Sequence, residues 1–181
     1  MRTLGIDPGL ANTGVVFLDS TPDGAEVRAV TLLRTTRGGK DLRDDLRRYQ
    51  VLQVLLRHVI RSFRPDVCVI EHFVPFRASR AAHKMNVLYG VFLGVLWEYS
   101  DTAGAKVRVV RPPDLKAFLE LKRADTSKDA VQLAVEQSID GFTDRIQKYP
   151  SAQREHLCDA GGLALMGFLD GSDEEKTKTL H

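Results

Sequence analysis

Asp7 sits in Gly5-Ile-Asp-Pro-Gly9, where a short apolar run, Thr3–Ile6, ends on a carboxylate. Pro8 removes a backbone donor and Gly9 tolerates positive φ, so the chain turns directly after the acid. A second apolar run, Val15–Leu18, follows. Strand, tight turn and antiparallel strand is the predicted arrangement. An Asp-Pro-Gly corner can be purely structural, yet a carboxylate fixed at a strand end beside glycine backbone also suits a metal ion or a phosphate. Glu71 repeats the situation at the end of the apolar run Val67–Ile70. A third acid, Asp159, lies in Arg154-Glu-His-Leu-Cys-Asp159-Ala-Gly-Gly. Residues three or four apart share a helix face, so His156 or Glu155 could flank it. Divalent cations such as Mg²⁺ take oxygen ligands. Two of them about 3.5–4 Å apart can serve phosphodiester cleavage, and three acids on separate elements could build that cluster.

The elements that must carry these acids follow from the apolar pattern. Ala25–Leu33 alternates loosely and supplies a third strand; Thr35–Lys40 is a polar turn. Asp41–Phe63 has apolar residues at helical spacing with a charged opposite face. Pro65-Asp66 breaks it before the strand that ends on Glu71. Phe73–Ser79 reads as a loop, and Ala81–Tyr99 as the most apolar helix, with Gly90 and Gly94 four apart on it. So wide an apolar surface, including Leu88 and Phe92, is expected either in the core or against a second subunit. Tyr89 and Trp97 read the same way. Val107–Val110 is a short strand; Pro113–Leu121 and Thr126–Gln137 are short helices. Gly141–Pro150 reads as a linker and Ser151–Phe168 as the last helix, with Ser151 as its N-cap. The expectation is one α/β domain with a mixed sheet over residues 1–168, and a flexible acidic tail over 169–181.

At 181 residues with 43% hydrophobic content, the chain can bury a real core, and its formal charge is only +2. The distribution says more. Between Arg77 and Lys128 ten basic residues (77, 80, 84, 106, 108, 111, 116, 122, 123, 128) stand against five acids (98, 101, 114, 120, 125). That points to a local cationic surface. Cys68 and Cys158 lie in apolar segments and read as buried, reduced thiols. The longest apolar stretch, Val87–Trp97, is too short to span a bilayer. With no cationic leader at the start of the chain, the expected compartment is cytoplasmic.

Taken together, Gly5-Ile-Asp-Pro-Gly with Thr13-Gly14, a strand-ending Glu71, and His156-x-x-Asp159-Ala with Leu-Ala following resemble the RuvC-type Holliday-junction resolvases of the ribonuclease H-like superfamily. The resemblance runs over residues 1–168. It implies a ribonuclease H-like fold, with a mixed five-stranded sheet flanked by helices. It also implies four catalytic, metal-binding side chains: Asp7, Glu71, His156 and Asp159. The family commonly carries Asp at the His156 position, and some members carry His. Two family lysines that contact the scissile backbone match Lys116 and Lys128 best, although Glu120-Leu-Lys-Arg123 replaces the glycine-rich element between them. The loop after Glu71 corresponds to one that inserts an aromatic near the junction centre, Phe73 or Phe76. Arg77, Arg80, Lys84, Lys122 and Arg123 complete the expected DNA-binding set.

By this resemblance, the chain is expected to be a homodimeric endonuclease that nicks opposed strands of a four-way junction in recombination and repair. Mg²⁺ is the implied cofactor, two per active site with Mn²⁺ able to substitute, and a junction-branch-migration complex is an implied partner. Other readings are a nuclease of RNA or other branched DNA, a non-catalytic junction binder, and an actin-type nucleotide-binding ATPase, which opens on a similar Gly-Ile-Asp turn.

Overall fold

The computed structural model describes residues 1–39, 41–73, 78–119 and 128–178, with the side chains of 128 and 170–178 outside the description. A meander of three antiparallel strands, β1 (Arg2–Asp7), β2 (Asn12–Thr21) and β3 (Gly24–Arg34), opens the chain. Helix α1 (Leu42–Phe63) leads to β4 (Val67–Glu71), and α2 (Arg80–Ala103) leads to β5 (Lys106–Val110). Both β4 and β5 run parallel to β1, giving a mixed sheet in the order β3-β2-β1-β4-β5. Three short helices follow, α3 (Pro112–Phe118), α4 (Lys128–Ser138) and α5 (Phe142–Ile146), and the long α6 (Ser151–Lys178) closes the chain.

Strand parity divides the core into two layers. Leu4, Ile6, Val15, Phe17, Cys68 and Ile70 face one side, where they bury Leu52, Leu56 and Ile60 of α1 with Leu88, Phe92 and Leu96 of α2. Val16, Leu18, Val67 and Val69 face the other side, against α4, α5 and α6. Asp7 and Glu71 have the parity of this second face. They are therefore aimed at α6.

Two glycines let α6 lie on the sheet. A Cβ on Gly5 would sit 1.9 Å from the Ala160 carbonyl oxygen, and one on Gly14 would sit 1.9 Å from that of His156. No side chain fits at that distance, so the contact is backbone on backbone. The start of α6 thus lies at the Asp7 end of the sheet, while Gly167 lies against Val67 and Val69 at the other.

Several boundaries differ from expectation. Within the predicted linker, Phe142 and Ile146 are four apart and fully buried, and anchoring both on the core winds α5. Ser151 is the first helical residue rather than the cap, because the Pro150 carbonyl already accepts from the Gln153 and Arg154 amides. Helix α6 continues past Phe168 to Lys178, since nothing in Leu169–Lys178 is a proline stop. On α2, Leu88 and Phe92 are buried in the chain's own core, whereas Trp97 is 53% exposed and nothing among the described residues lies within 4 Å of a Cβ on Gly90 or Gly94. The face of α2 open to another molecule is therefore Val87, Gly90, Gly94 and Trp97. Tyr89 is partly buried on the core. Cys68 and Cys158 are free and buried, and burial pushes both thiols up to about 12. Among the described residues no helix is long and apolar enough to cross a membrane.

Candidate active site

Strands β1 and β4 are paired through Ile6 and Ile70. Asp7 and Glu71 each follow by one residue, which sets the two carboxyls side by side at the carboxyl ends of neighbouring parallel strands. Helix α6 crosses above them and contributes the next two groups. His156 Nδ1 lies 2.6 Å from Asp7 Oδ2, and Asp159, one turn further on, lies within electrostatic reach of Asp7 and Glu71. The helical spacing left both Glu155 and His156 open; the structure puts His156 on the acid.

The turn bearing Asp7 is held by its own carbonyls. The Thr13 hydroxyl donates to the Gly9 carbonyl at 2.8 Å, the Thr35 hydroxyl to that of Leu10 at 2.5 Å, and the Thr35 amide to that of Ala11 at 3.1 Å. Pro8, with no amide hydrogen, leaves no donor unsatisfied at the corner.

Electrostatics mark the cluster as a place built for positive charge. Burial first, then the neighbouring Asp7 and Asp159 charges, push Glu71 up to about 8. Burial and the Asp7 charge push Asp159 up to about 7, with Glu155 adding to the effect. Asp7 is raised by burial against the opposing pull of its bond to His156. The same bond raises His156, whose imidazolium is then a partial counter-ion. Lys116 is close enough to lower both Glu71 and Asp159. Several carboxyls that hold one another's protons are an anionic site short of cations.

That donor set fits a divalent cation: three oxygen-bearing acids and one imidazole, with a lysine at the rim. Among the described residues no group of three or more His, Cys, Asp or Glu is drawn in tightly enough to close around an ion as it stands. The upward shift of the three acids and of His156 has one sense: added positive charge at the cluster would be favourable.

The wider set of sequence-predicted residues divides. Phe73 is half-buried two residues beyond Glu71, and Arg80 is exposed at the first residue of α2. Lys84 instead forms an ion pair with Asp45 of α1 at 2.7 Å, both side chains largely buried, so its charge is directed into the fold. Phe76, Arg77, Lys122 and Arg123, and the Lys128 side chain, lie outside the described residues. Glu155 is the alternative to His156 that helical spacing left open. It is partly buried, and its charge raises Asp7, His156 and Asp159 alike. The neighbouring Arg154 turns away, its guanidinium donating to the Tyr149 and Gln147 carbonyls. His72, also unremarked in the sequence, packs its ring on Tyr89 of α2 with centroids 5.4 Å apart.

Comparison with known proteins adds a separate line. The family model described as crossover junction endodeoxyribonuclease RuvC matches residues 3–137, a span that includes Asp7, Glu71 and Lys116 and ends before α6. A crossover junction endodeoxyribonuclease RuvC from Synechococcus sp. (strain CC9902) is 30% identical over 170 residues, 93% of this chain and 99% of that one. Another, from Parasynechococcus marenigrum (strain WH8102), is 31% identical over 141 residues, 77% of this chain and 84% of that one. Thermus thermophilus RuvC in complex with Holliday junction substrate superposes with a TM-score of 0.66 over 91% of each chain at 22% identity. The yeast mitochondrial Holliday junction resolvase Ydc2 gives 0.62 over 90% of this chain and 77% of that one, at 14% identity.

Proposed function

The chain belongs to the RuvC family of crossover junction endodeoxyribonucleases, and from that premise we propose that Asp7, Glu71, His156 and Asp159 are the catalytic cluster with which it resolves four-way DNA junctions. The observation that carries this assignment is the pairing of Asp7 and Glu71 at adjacent strand ends beneath His156 and Asp159. The chain is a metal-dependent nuclease acting on branched DNA. Mg²⁺ is the working cation, two per site, with Mn²⁺ as a substitute. Asp7, Glu71, His156 and Asp159 would hold these ions, which would supply Lewis-acid polarisation of the phosphodiester and an activated water at neutral pH.

The chain's own groups have distinct tasks. Asp7, between Glu71 and His156, is the shared anchor of the cluster. Glu71 and Asp159 supply oxygen donors from opposite sides, one from a strand and one from a helix. His156 ligates through a neutral ring nitrogen and therefore must lose the proton that Asp7 now favours. Lys116, at the rim, places positive charge where the scissile phosphate would approach.

DNA contacts follow from what flanks the cluster. The segment after Glu71 carries Phe73, Phe76, Arg77 and Arg80, and the segment after α3 carries Lys122, Arg123 and Lys128. An aromatic from the first opens the junction centre, and the basic residues hold phosphates. Two copies of the chain pair through the open face of α2, so that two dyad-related sites meet two equivalent strands. A branch-migration complex is the natural source of such junctions.

Side-by-side cleavage of four-way junction, fork, linear duplex and RNA–DNA hybrid tests this reading. The junction is to be cut in preference, in paired nicks, and only with a divalent cation present. Equal or better cleavage of the hybrid would reassign the substrate.

A further inference from the structure

Arg48 is 7% exposed on α1, and its Nε donates to the Thr35 hydroxyl oxygen at 2.9 Å. That hydroxyl spends its single proton on the Leu10 carbonyl, three residues beyond Asp7, at 2.5 Å. The two bonds form a directed relay. Because Arg48 can only donate, it obliges Thr35 to accept from it and to donate onward. A threonine hydroxyl otherwise rotates to suit its surroundings; here its orientation is set by a guanidinium that has donors and no acceptor.

The relay bears on one place. The Gly9 carbonyl is held from within the turn by Thr13, and the Ala11 carbonyl by the Thr35 amide. The Leu10 carbonyl depends on the Thr35 side chain. Arg48 lies on the opposite side of the sheet from α6, since α1 packs on the Leu4 and Ile6 face. It thus reaches the Asp7 turn from the face opposite the one that carries His156 and Asp159.

We propose that Arg48, acting through Thr35, is a positioning residue that fixes the Asp7-bearing turn so that the Asp7 carboxyl meets Glu71 and His156. This rests on the assignment of Asp7 to the catalytic cluster. Bound and free junction would encounter the same DNA surface with or without the relay. Its loss is therefore felt after binding, in the chemical step.

The experiment compares Thr35→Val, Thr35→Ser, Arg48→Met and the Thr35→Val/Arg48→Met double variant with wild type and Asp7→Asn. Thr35→Val is expected to lower the cleavage rate at saturating junction about tenfold or more, with junction affinity in Ca²⁺ changed less than about twofold. Thr35→Ser, which keeps the hydroxyl, is expected to restore the rate. The double variant should be no slower than the slower single, because both remove one relay. Amide exchange in Gly9–Thr13 should quicken in Thr35→Val and stay as in wild type in Thr35→Ser. If Arg48→Met does not fold, the valine–serine contrast carries the test alone. An inactive Asp7→Asn beside a fully active Thr35→Val would overturn the relay and leave the catalytic assignment standing. An active Asp7→Asn would overturn that assignment itself. A Thr35→Val that weakens junction binding in proportion to rate would also overturn the relay.

Discussion

His156 Nδ1 and Asp7 Oδ2, 149 residues apart in the chain, meet at 2.6 Å because Gly14 lets the backbone at His156 descend onto β2. The bond ties the helix half of the site to its strand half. It also makes His156 basic, since the Asp7 carboxylate favours the imidazolium.

The first prediction separates His156 from Glu155. His156→Ala should be nearly inactive, while Glu155→Gln should stay within about threefold of wild type, under 1 kcal/mol in barrier. Glu155 should announce itself in the pH profile instead. Its charge raises His156 and Asp159, both of which must be deprotonated to ligate, so activity falls as pH drops through their pKa values. Removing the charge moves that acid limb to lower pH. An unshifted limb, or an inactive Glu155→Gln beside an active His156→Ala, would reverse the assignment.

Gly14→Ala isolates the geometry. The new Cβ would meet the His156 carbonyl oxygen at 1.9 Å, so α6 must lift. Overpacking of this kind costs about 1–3 kcal/mol, and a displacement near 1 Å can cost about 100-fold in rate. Thermal melting with single-turnover cleavage checks both. A fully active Gly14→Ala would mean that the helix can move without disturbing the cluster.

The metal-free protein should melt more readily as pH rises. Glu71 titrates near 4.5 unfolded and about 8 folded. A raised carboxyl pKa means that the ionised form is disfavoured in the fold; this penalty is absent below the unfolded value and complete above the folded one. His156 acts in the same direction. Its bond to Asp7 contributes fully below 6.5 and fades as pH passes its raised folded value. The melting temperature should therefore fall between pH 4.5 and about 8. Mn²⁺ or Mg²⁺ should restore it at the upper end by binding the folded state, and Glu71→Gln should flatten the slope. A melting temperature that is level with pH and indifferent to Mn²⁺ would contradict the cluster's electrostatics.

Trp97→Glu tests the pairing of two copies. Trp97 is exposed, so the substitution leaves the core intact but would put an unpartnered charge into the pairing face proposed above. A folded monomer that nicks singly and no longer makes paired cuts is expected by sedimentation and product analysis. Wild-type protein that sediments as a monomer at micromolar concentration would remove the proposal.

Much of this was legible in the sequence because local rules agreed with the fold. The Asp-Pro-Gly corner, the strand ending on Glu71 and the amphipathic helix read over Asp41–Phe63 each follow from a few adjacent residues. The helix itself begins at Leu42, and Asp41 is its cap, its side chain accepting from the Asp44 amide. The ordered acids and their resemblance to the RuvC family carried the function, and membership in that family removes the ATPase reading. What the sequence could not show is long-range. Lys84 looked like one more cation of a basic stretch, and only packing α2 on α1 brings it to Asp45. Leu88 and Trp97 looked equally apolar; which of them faces the core depends on the rotation of α2. Thr35 and Arg48 carry no motif, and their relation to Asp7 exists only once β3 has returned beside β2.

Everything proposed for the site depends on Asp7 belonging to the catalytic cluster and not merely to a structural corner. Single-turnover cleavage of a four-way junction by Asp7→Asn in Mg²⁺ and in Mn²⁺, with junction affinity measured alongside, tests it most directly. Cleavage should fall by about 1,000-fold or more, as for loss of a central catalytic group, with binding retained because the cationic DNA surface is unchanged. A folded Asp7→Asn that cleaves at a near-normal rate would contradict it.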